Sequence, residues 1–346
     1  MKDFIERCKV VYEHIADEES RFIFSNRLLY SATGDYKYIK SIVLSTEMGQ
    51  KIFELLKKSA NNHDNMVIDG AGEYGRFIYQ DYPELPWVCF SDASPKEKTL
   101  FDNIPVLQRK QAMEKYPNAV WVISSTRYFK EIEKELVEGG IDQRNIVNVG
   151  KIVYESYSAM YFDVPYIQPK KNNCLIDGGA YHGESTIEFY RWCGENGAQA
   201  VVFEPDKDNY NICKHNLAKM KGTYVLNKGT YDAIGEQAFS SKGNMVSQMD
   251  PQGREKIETT TIDSVPEAQN ATYIKLDVEG VELETLKGGA HVIGRNKPDM
   301  AISVYHKPED IVELLECVLS INPNYVFYLR HYTLGDGDTV AFATIR

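Results

Sequence analysis

Twice along this chain an apolar run ends in Asp-Gly and passes through a glycine-rich turn into a helix-forming stretch. The first is Met66-Val67-Ile68-Asp69-Gly70-Ala71-Gly72-Glu73-Tyr74-Gly75, and the second is Cys174-Leu175-Ile176-Asp177-Gly178-Gly179-Ala180-Tyr181-His182-Gly183. A strand that stops on an acid and turns through glycine into a helix opens a parallel sheet covered by helices. Such sheets bind ligands at the carboxyl ends of their strands. Two openings of this kind in 346 residues predict two α/β domains in succession, at ~100–200 residues per domain.

The intervening rhythm supports that division. Before the first turn, Phe4-Ile5-Cys8-Val11-Tyr12-Ile15 repeats at three- and four-residue steps, Asp17 to Ser20 supplies cap-type residues, and Ile52-Phe53-Leu55-Leu56 is a further amphipathic stretch. After it, apolar strands are expected at 87–90, 120–123 and 146–149, with a helix over 128–138. Pro165 and Pro169-Lys170-Lys171 interrupt the alternation. It resumes with strands at 174–177, 200–204, 223–227, 272–276, 300–304, 324–329 and 338–344, and helices at about 184–193, 206–219, 280–293 and 307–320. The last two strands are joined through Gly335-Asp336-Gly337-Asp338, a connection that permits only an antiparallel hairpin, because a parallel return needs a crossover of about a dozen residues. The expected organisation is a helical segment over 1–62, a small Rossmann-like α/β domain over 63–150, a linker over 151–171, and a doubly wound α/β domain closed by an antiparallel hairpin over 172–346.

The second turn carries the clearer chemistry. Its glycines, at 178, 179 and 183, do not form G-x-G-x-x-G, and Asp177 and Glu184 crowd the helix start with negative charge. A pyrophosphate favours a bare helix N-terminus. A cationic or zwitterionic ligand suits an acidic turn better, and S-adenosylmethionine, with its sulfonium and ammonium, qualifies. Glu204-Pro205 ends the next strand, where an acid either binds both hydroxyls of a ribose or caps the helix near Asp206. Asn227-Lys228-Gly229, after the third strand, is placed to meet an adenine ring.

Tyr161-Phe162-Asp163, Ile176-Asp177-Gly178-Gly179-Ala180, Phe203-Glu204-Pro205, Thr261-Ile262-Asp263 and, most specifically, Ile274-Lys275-Leu276-Asp277-Val278-Glu279-Gly280-Val281-Glu282 resemble the FkbM-type methyltransferases over about 161–346. The resemblance implies a class I methyltransferase sheet and S-adenosylmethionine as cofactor. It also implies methylation mostly of oxygen, on sugars, glycoconjugates or related natural products. It places Tyr161, Asp177, Gly178, Gly179, Ala180, Tyr181, Gly183, Ser185, Thr186, Glu204, Pro205, Lys228, Gly229 and Asp277 around the cofactor. His182 departs from the acidic or small polar residue common in the family.

Methyl transfer to a hydroxyl needs in-line approach and a proton acceptor. Asp277, Glu279 and His306 are the candidate bases, with Lys275 in the same group and His331 behind them. Arg330-His331-Tyr332 is placed to meet an acidic or hydroxyl-rich acceptor. The reading adopted assigns no metal. The alternative is a divalent cation held by Asp277, Glu279 and Glu282, unless Glu282 only pairs with a lysine.

The first turn does fit G-x-G-x-x-G, through Gly70, Gly72 and Gly75, with Asp92 as the acid expected on a ribose. It reads either as a second site, for a nucleotide or nucleotide-sugar, or as close helix packing with no ligand. The function alternatives are a nucleotide-sugar dehydrogenase or epimerase using this half, a sugar-amine N-methyltransferase, and a non-catalytic cofactor-binding scaffold.

A net charge of −11 speaks against nucleic acid as a partner. No apolar run reaches the ~18–20 residues of a membrane helix. Acids near the start are unlike a targeting peptide, and six scattered cysteines without C-x-x-C fit reduced thiols. A cytoplasmic protein acting on a small-molecule or glycan acceptor, with homo-oligomerisation open, is expected.

Overall fold

Asp17 caps a helix and so fixes how the chain begins. Its carboxylate accepts the Ser20 N–H at 2.8 Å, starting α2 (Glu18–Thr33) after α1 (Lys2–Glu13). This computed structural model describes residues 2–95, 100–101, 104–158, 160–162, 164–194, 197–240, 248–249, 252–253 and 255–345. It divides into two units, Met1–Gly34 with Ala159–Arg330 and Gly337–Arg346, and Asp35–Ser158 with His331–Asp336. The helical stretch expected over 1–62 is thus shared between them.

In the second unit, α3 (Lys37–Ser45) and α4 (Glu47–Ala60) precede β1 (Met66–Asp69), α5 (Glu73–Asp81), β2 (Trp87–Asp92), β3 (Leu100–Phe101), β4 (Ile104–Gln108), α6 (Arg109–Lys115), β5 (Val120–Ile123), α7 (Phe129–Glu138), β6 (Ile146–Asn148) and α8 (Val149–Ser158). The sheet order is β3-β4-β2-β1-β5-β6. All neighbours from β4 to β6 are parallel, and β3 pairs antiparallel with β4. Val67, Cys89, Trp121 and Ile123 bury one sheet face against Ala112, Ile132 and Leu136. Two features differ from expectation. Pro105 disguises β4 as a non-strand segment, and helix α6 carries too few apolar residues to stand out in the sequence. The expected linker begins as helix, because Val149, Ile152 and Val153 give α8 a buried face.

In the first unit, β7 (Asn173–Gly178), α9 (Glu184–Cys193), β8 (Ala198–Phe203), α10 (Lys207–Asn216) and β9 (Thr223–Leu226) are followed by four short strands: β10 (Gly229–Thr230), β11 (Gly235–Ser240), β12 (Gln248–Met249) and β13 (Glu255–Thr260). Then come β14 (Tyr273–Leu276), α11 (Glu282–Gly288), α12 (Ala290–Asn296), β15 (Asp299–Ser303), α13 (Asp310–Ile321), β16 (Tyr325–His331) and β17 (Thr339–Ile345). The main sheet runs β16-β17-β15-β14-β7-β8-β9. Its central strands are parallel, and β17 returns antiparallel to β15. This is the class I methyltransferase order, doubly wound and closed by the expected hairpin. The small sheet β10-β13-β11-β12 was not expected, since Glu255-Lys256-Ile257-Glu258-Thr259-Thr260 alternates too weakly to separate from loop.

The edge strand β16 is covered by the chain's first residues. Phe327 donates its N–H to His14 O and accepts from Ala16 N, each at 2.9 Å, and Leu329 N–H donates to Ser20 Oγ at 2.8 Å. Arg330 pairs with Asp17 at 2.9 Å, and Arg7 with Glu316 at 2.6 Å. An otherwise open row of backbone donors and acceptors is satisfied this way. All six cysteines are free thiols. Among the described residues no helix is long and apolar enough to cross a membrane.

Candidate active site

The glycine turn after β7 rests on a buried ionic network. Asp177 is fully buried and accepts hydrogen bonds from Ser185 Oγ and Thr186 Oγ1, each at 2.6 Å. Lys275, 2% exposed on β14, lies 3.2 Å from Asp177 Oδ1 and donates to the carbonyls of Gly178 at 3.2 Å and Gly179 at 2.7 Å. Two of its ammonium donors are held by these carbonyls and its charge faces the Asp177 carboxylate, so the side chain is committed beneath the turn. Lys275 belongs to the scaffold of the turn, which corrects its expected place among the catalytic residues. Asp177, Ser185 and Thr186 form the same internal tie beneath the turn.

Gly179 has φ +73°, and a Cβ there would stand 1.8 Å from the Asp277 carbonyl oxygen. The turn therefore presses directly on the next strand end. Gly179→Ala is expected to lower stability by at least the ~1–3 kcal/mol of a strained backbone residue, read as a fall in thermal unfolding temperature. Tyr181 adopts φ +50° and stacks on His182 at 3.7 Å. Its N–H donates to Glu204 Oε2 at 2.8 Å, while Glu204 Oε1 accepts the Asp206 N–H at 2.9 Å. Glu204 thus supports both the turn and the start of α10. Burial raises its pKa to about 7 against those two N–H groups.

Beyond β14 the chain leaves the extended conformation, and Glu279 takes φ +55°. Asp277, Glu279 and Glu282 converge on His306. Its Nδ1 lies 3.0 Å from Glu282, and its Nε2 lies 3.5 Å from Asp277 and 3.6 Å from Glu279. Glu282 is 1% exposed and also accepts the Val278 N–H at 2.8 Å. The expected pairing with a lysine is replaced by this inward role. Asp277 is further held by Tyr161 Oη at 2.8 Å and Tyr305 Oη at 3.2 Å.

Burial works to lower the His306 pKa, but the Glu282 hydrogen bond and the three carboxylate charges outweigh it and raise it to about 9. Burial pushes Glu279 up to about 7, partly offset by the imidazolium. For Asp277, burial acts upward, yet Lys275, His306 and the Tyr161 and Ser303 hydrogen bonds outweigh it and lower the pKa. The three groups expected as bases are therefore not equivalent. At neutral pH the imidazole is cationic, Asp277 is a weakly basic carboxylate, and Glu279 sits near its own titration point.

Asp277, Glu282 and His306 offer ligand atoms within 4.8 Å of one another, a spacing that could surround a divalent cation. In this arrangement, however, the imidazole occupies the space on which the carboxylates converge, and its own charge offsets theirs. Beside the cluster lies a cleft of about 360 Å³ lined by Met249, Glu279, Gly280, Val281, His306 and Lys307. Met249 and Lys307 were not singled out in the sequence, nor was Tyr305.

Other expected residues separate from this group. Lys228 reaches Glu258 at 3.1 Å instead of facing inward. Gly229 packs under Met249 and Ile257, where a Cβ would stand 2.8 Å and 3.1 Å away, and Asn227 Nδ2 ties the Glu204 and Pro205 carbonyls at 2.9 Å each. Arg330 is taken by Asp17 and Glu19 at the covered sheet edge, which removes it as an acceptor contact. His331 and Tyr332 belong to the other unit. Tyr161 is pinned by its neighbour Phe162, whose ring packs on Phe189, Trp192 and Tyr273. Asp163 lies outside the described residues. Gly178 and Ala180 stay in the turn, and Gly183 packs against Leu217 and Cys213 with φ +91°.

Comparison with known proteins agrees with this architecture. Residues 177–327 match the family model described as the methyltransferase FkbM domain. Among solved structures, the chain is similar to the methyltransferase FkbM from Methylobacillus flagellatus KT, with 19% identity and a TM-score of 0.51 over 91% of this chain and 100% of that one. More distant likenesses include an O-methyltransferase from Bacillus cereus in complex with SAH, at 12% identity and TM-score 0.33 over 64% of this chain and 90% of that one. Another is fibrillarin from Aeropyrum pernix with natively bound S-adenosyl-L-methionine, at 8% identity and TM-score 0.34 over 55% and 74%.

Proposed function

Because residues 177–327 carry a methyltransferase FkbM domain on a class I methyltransferase fold, we propose that the chain transfers a methyl group from S-adenosylmethionine to a hydroxyl of a sugar, glycoconjugate or related natural product. The observation that carries this reading is the convergence of Asp277, Glu279 and Glu282 on His306, with Glu279 on the wall of the adjoining cleft.

The donor set suits a cationic cofactor. The turn is bordered by Asp177, Glu184, Glu204 and Asp277, and its one lysine, Lys275, is consumed internally. An anion would meet more acids than cations there. Glu204 keeps lone pairs for ribose hydroxyls, and Asp277 with the backbone of 178–181 would hold the amino-acid portion. When bound, S-adenosylmethionine supplies an electrophilic methyl group on a sulfonium.

The chain's own residues handle the proton. Glu279 accepts it from the acceptor hydroxyl as the new O–C bond forms. His306, with Nδ1 beside Glu282, is the cation that lowers Asp277 and partly offsets the rise of Glu279. Tyr161 and Tyr305 fix the Asp277 carboxylate. A reaction inside the cytosol on a small molecule or glycan completes the proposal, and the free thiols are consistent with it.

Calorimetry should register S-adenosylmethionine binding, and a methylation screen over sugars, sugar nucleotides and glycans should yield a product heavier by one methylene. Absence of binding heat would reject the cofactor assignment. Binding without turnover across the panel would favour a scaffold, and NMR of the product separates oxygen from nitrogen methylation. Nicotinamide absorbance in the purified protein would instead favour the dehydrogenase reading.

A further inference from the structure

The second unit contains a larger cavity than the one beside Glu279, about 530 Å³, at the carboxyl ends of β1, β2 and β5. It is lined by Gly70 and Gly72 of the first glycine turn, Asp92 at the end of β2, and Ser124 at the end of β5. In the order β4-β2-β1-β5-β6, connections leave β1 in one direction and return to β5 in the other. That reversal is where open parallel sheets bind ligands, and the volume falls in the range of small-molecule sites.

The three glycines of the turn have different reasons to be there. Gly70 has φ +106°, and a Cβ would lie 2.4 Å from Ser124 Oγ; at Gly75 it would lie 2.1 Å from Gly70 O. Helix-to-strand packing accounts for both. Gly72 is different. Its φ is −82°, it precedes α5 with no side chain to cap the first turn, and a Cβ would meet nothing within 4 Å. Asn, Asp or Ser would cap the helix slightly better than glycine, and no neighbouring atom requires glycine here. The position is left open on the cavity wall.

Asp92 is the second feature. Its Oδ2 accepts the Ala71 N–H at 3.3 Å and its Oδ1 the Ser94 N–H at 2.9 Å, which aims the carboxylate at the turn with a lone pair free on each oxygen. At the rim, the Tyr128 ring is 53% exposed, with the Arg127 guanidinium 5.3 Å from its centroid. The charge of the lining argues against phosphate. Four acids, Glu73, Asp92, Glu131 and Glu135, face two arginines, and Arg109 is already bound to Asp69 and Glu135.

We propose that this cavity binds a nucleoside, its ribose diol donating to Asp92 and its base lying against Tyr128, with no phosphate at the turn. Adenosine is the probe, titrated into the full chain by calorimetry or ligand-observed NMR. Gly72→Val fills the open space and Asp92→Asn removes half of the diol's acceptor; each should weaken adenosine binding about tenfold or more. A melting temperature lowered by only a few degrees, the effect of a poorer helix cap, is expected for Gly72→Val, and Asp92→Asn, which alters no cap, separates lost binding from lost folding. The titration is run with S-adenosylmethionine in excess, which fills the adenosine-type site proposed in the other unit, and adenosine binding at this cavity should survive it. NAD and UDP-glucose should bind more weakly than adenosine. The proposal is overturned if adenosine does not bind, if binding persists unchanged in both Gly72→Val and Asp92→Asn, or if NAD or UDP-glucose binds more tightly.

Discussion

Glu279→Gln is expected to slow methyl transfer by ~10²–10⁴-fold, the usual worth of a positioned base, with cofactor binding little changed. The replacement keeps shape and polarity but cannot take a proton. The pH profile makes the test specific. Since burial raises Glu279 to about 7, the carboxylate is protonated below that value and ionised above it. Turnover should therefore rise with pH through about 7, and this limb should vanish in Glu279→Gln. His306→Gln deletes the cation that opposes burial, so the limb should move to higher pH. A Glu279→Gln enzyme active within a few-fold of wild type, on an unaltered pH profile, would show that another group takes the proton.

Lys275→Met is expected to be the most destabilising single change in the first unit. It strips the cation from a fully buried carboxylate and leaves the carbonyls of Gly178 and Gly179 without their donor. Breaking a buried pair by removing one partner typically costs ~3–5 kcal/mol, which lowers the unfolding temperature on the order of 10 °C for a domain of this size. Asp177→Asn combined with Lys275→Met should recover part of the loss, because the uncompensated charge is then gone. Thermal unfolding of the two single variants and the double variant measures the coupling. Losses that simply add would mean the two groups do not act as a pair.

What could be read in the sequence was whatever local pattern dictates. Apolar runs such as Leu175-Ile176 and Ala200-Val201-Val202-Phe203 announce central strands because both faces of such strands are buried. The connection through Gly335-Asp336-Gly337-Asp338 announces the closing hairpin because its length forbids a crossover. Roles that depend on distant partners were less accessible. Lys275 and Asp277 are two residues apart, yet one is locked under the glycine turn and the other held by two tyrosines, a difference set by Asp177, Tyr161 and Tyr305. Glu282 carried one usable sign, a glutamate at the head of a helix able to reach back to a preceding N–H. Arg330 was misplaced because its partners, Asp17 and Glu19, lie some three hundred residues away.

That last distance bears on how the molecule is made. Residues 14–20 bond to Phe327 and Leu329, so this segment completes its contacts only when the closing strands exist. Domains that fold during synthesis normally do so from the front. Here residues 14–20 must wait for β16, while residues 35–158, all in the second unit, can organise earlier. Contacts of such sequence separation slow folding. A nascent chain halted before β16 would offer α13 to the first helices but would leave the backbone groups of His14 and Ala16 without their strand partner.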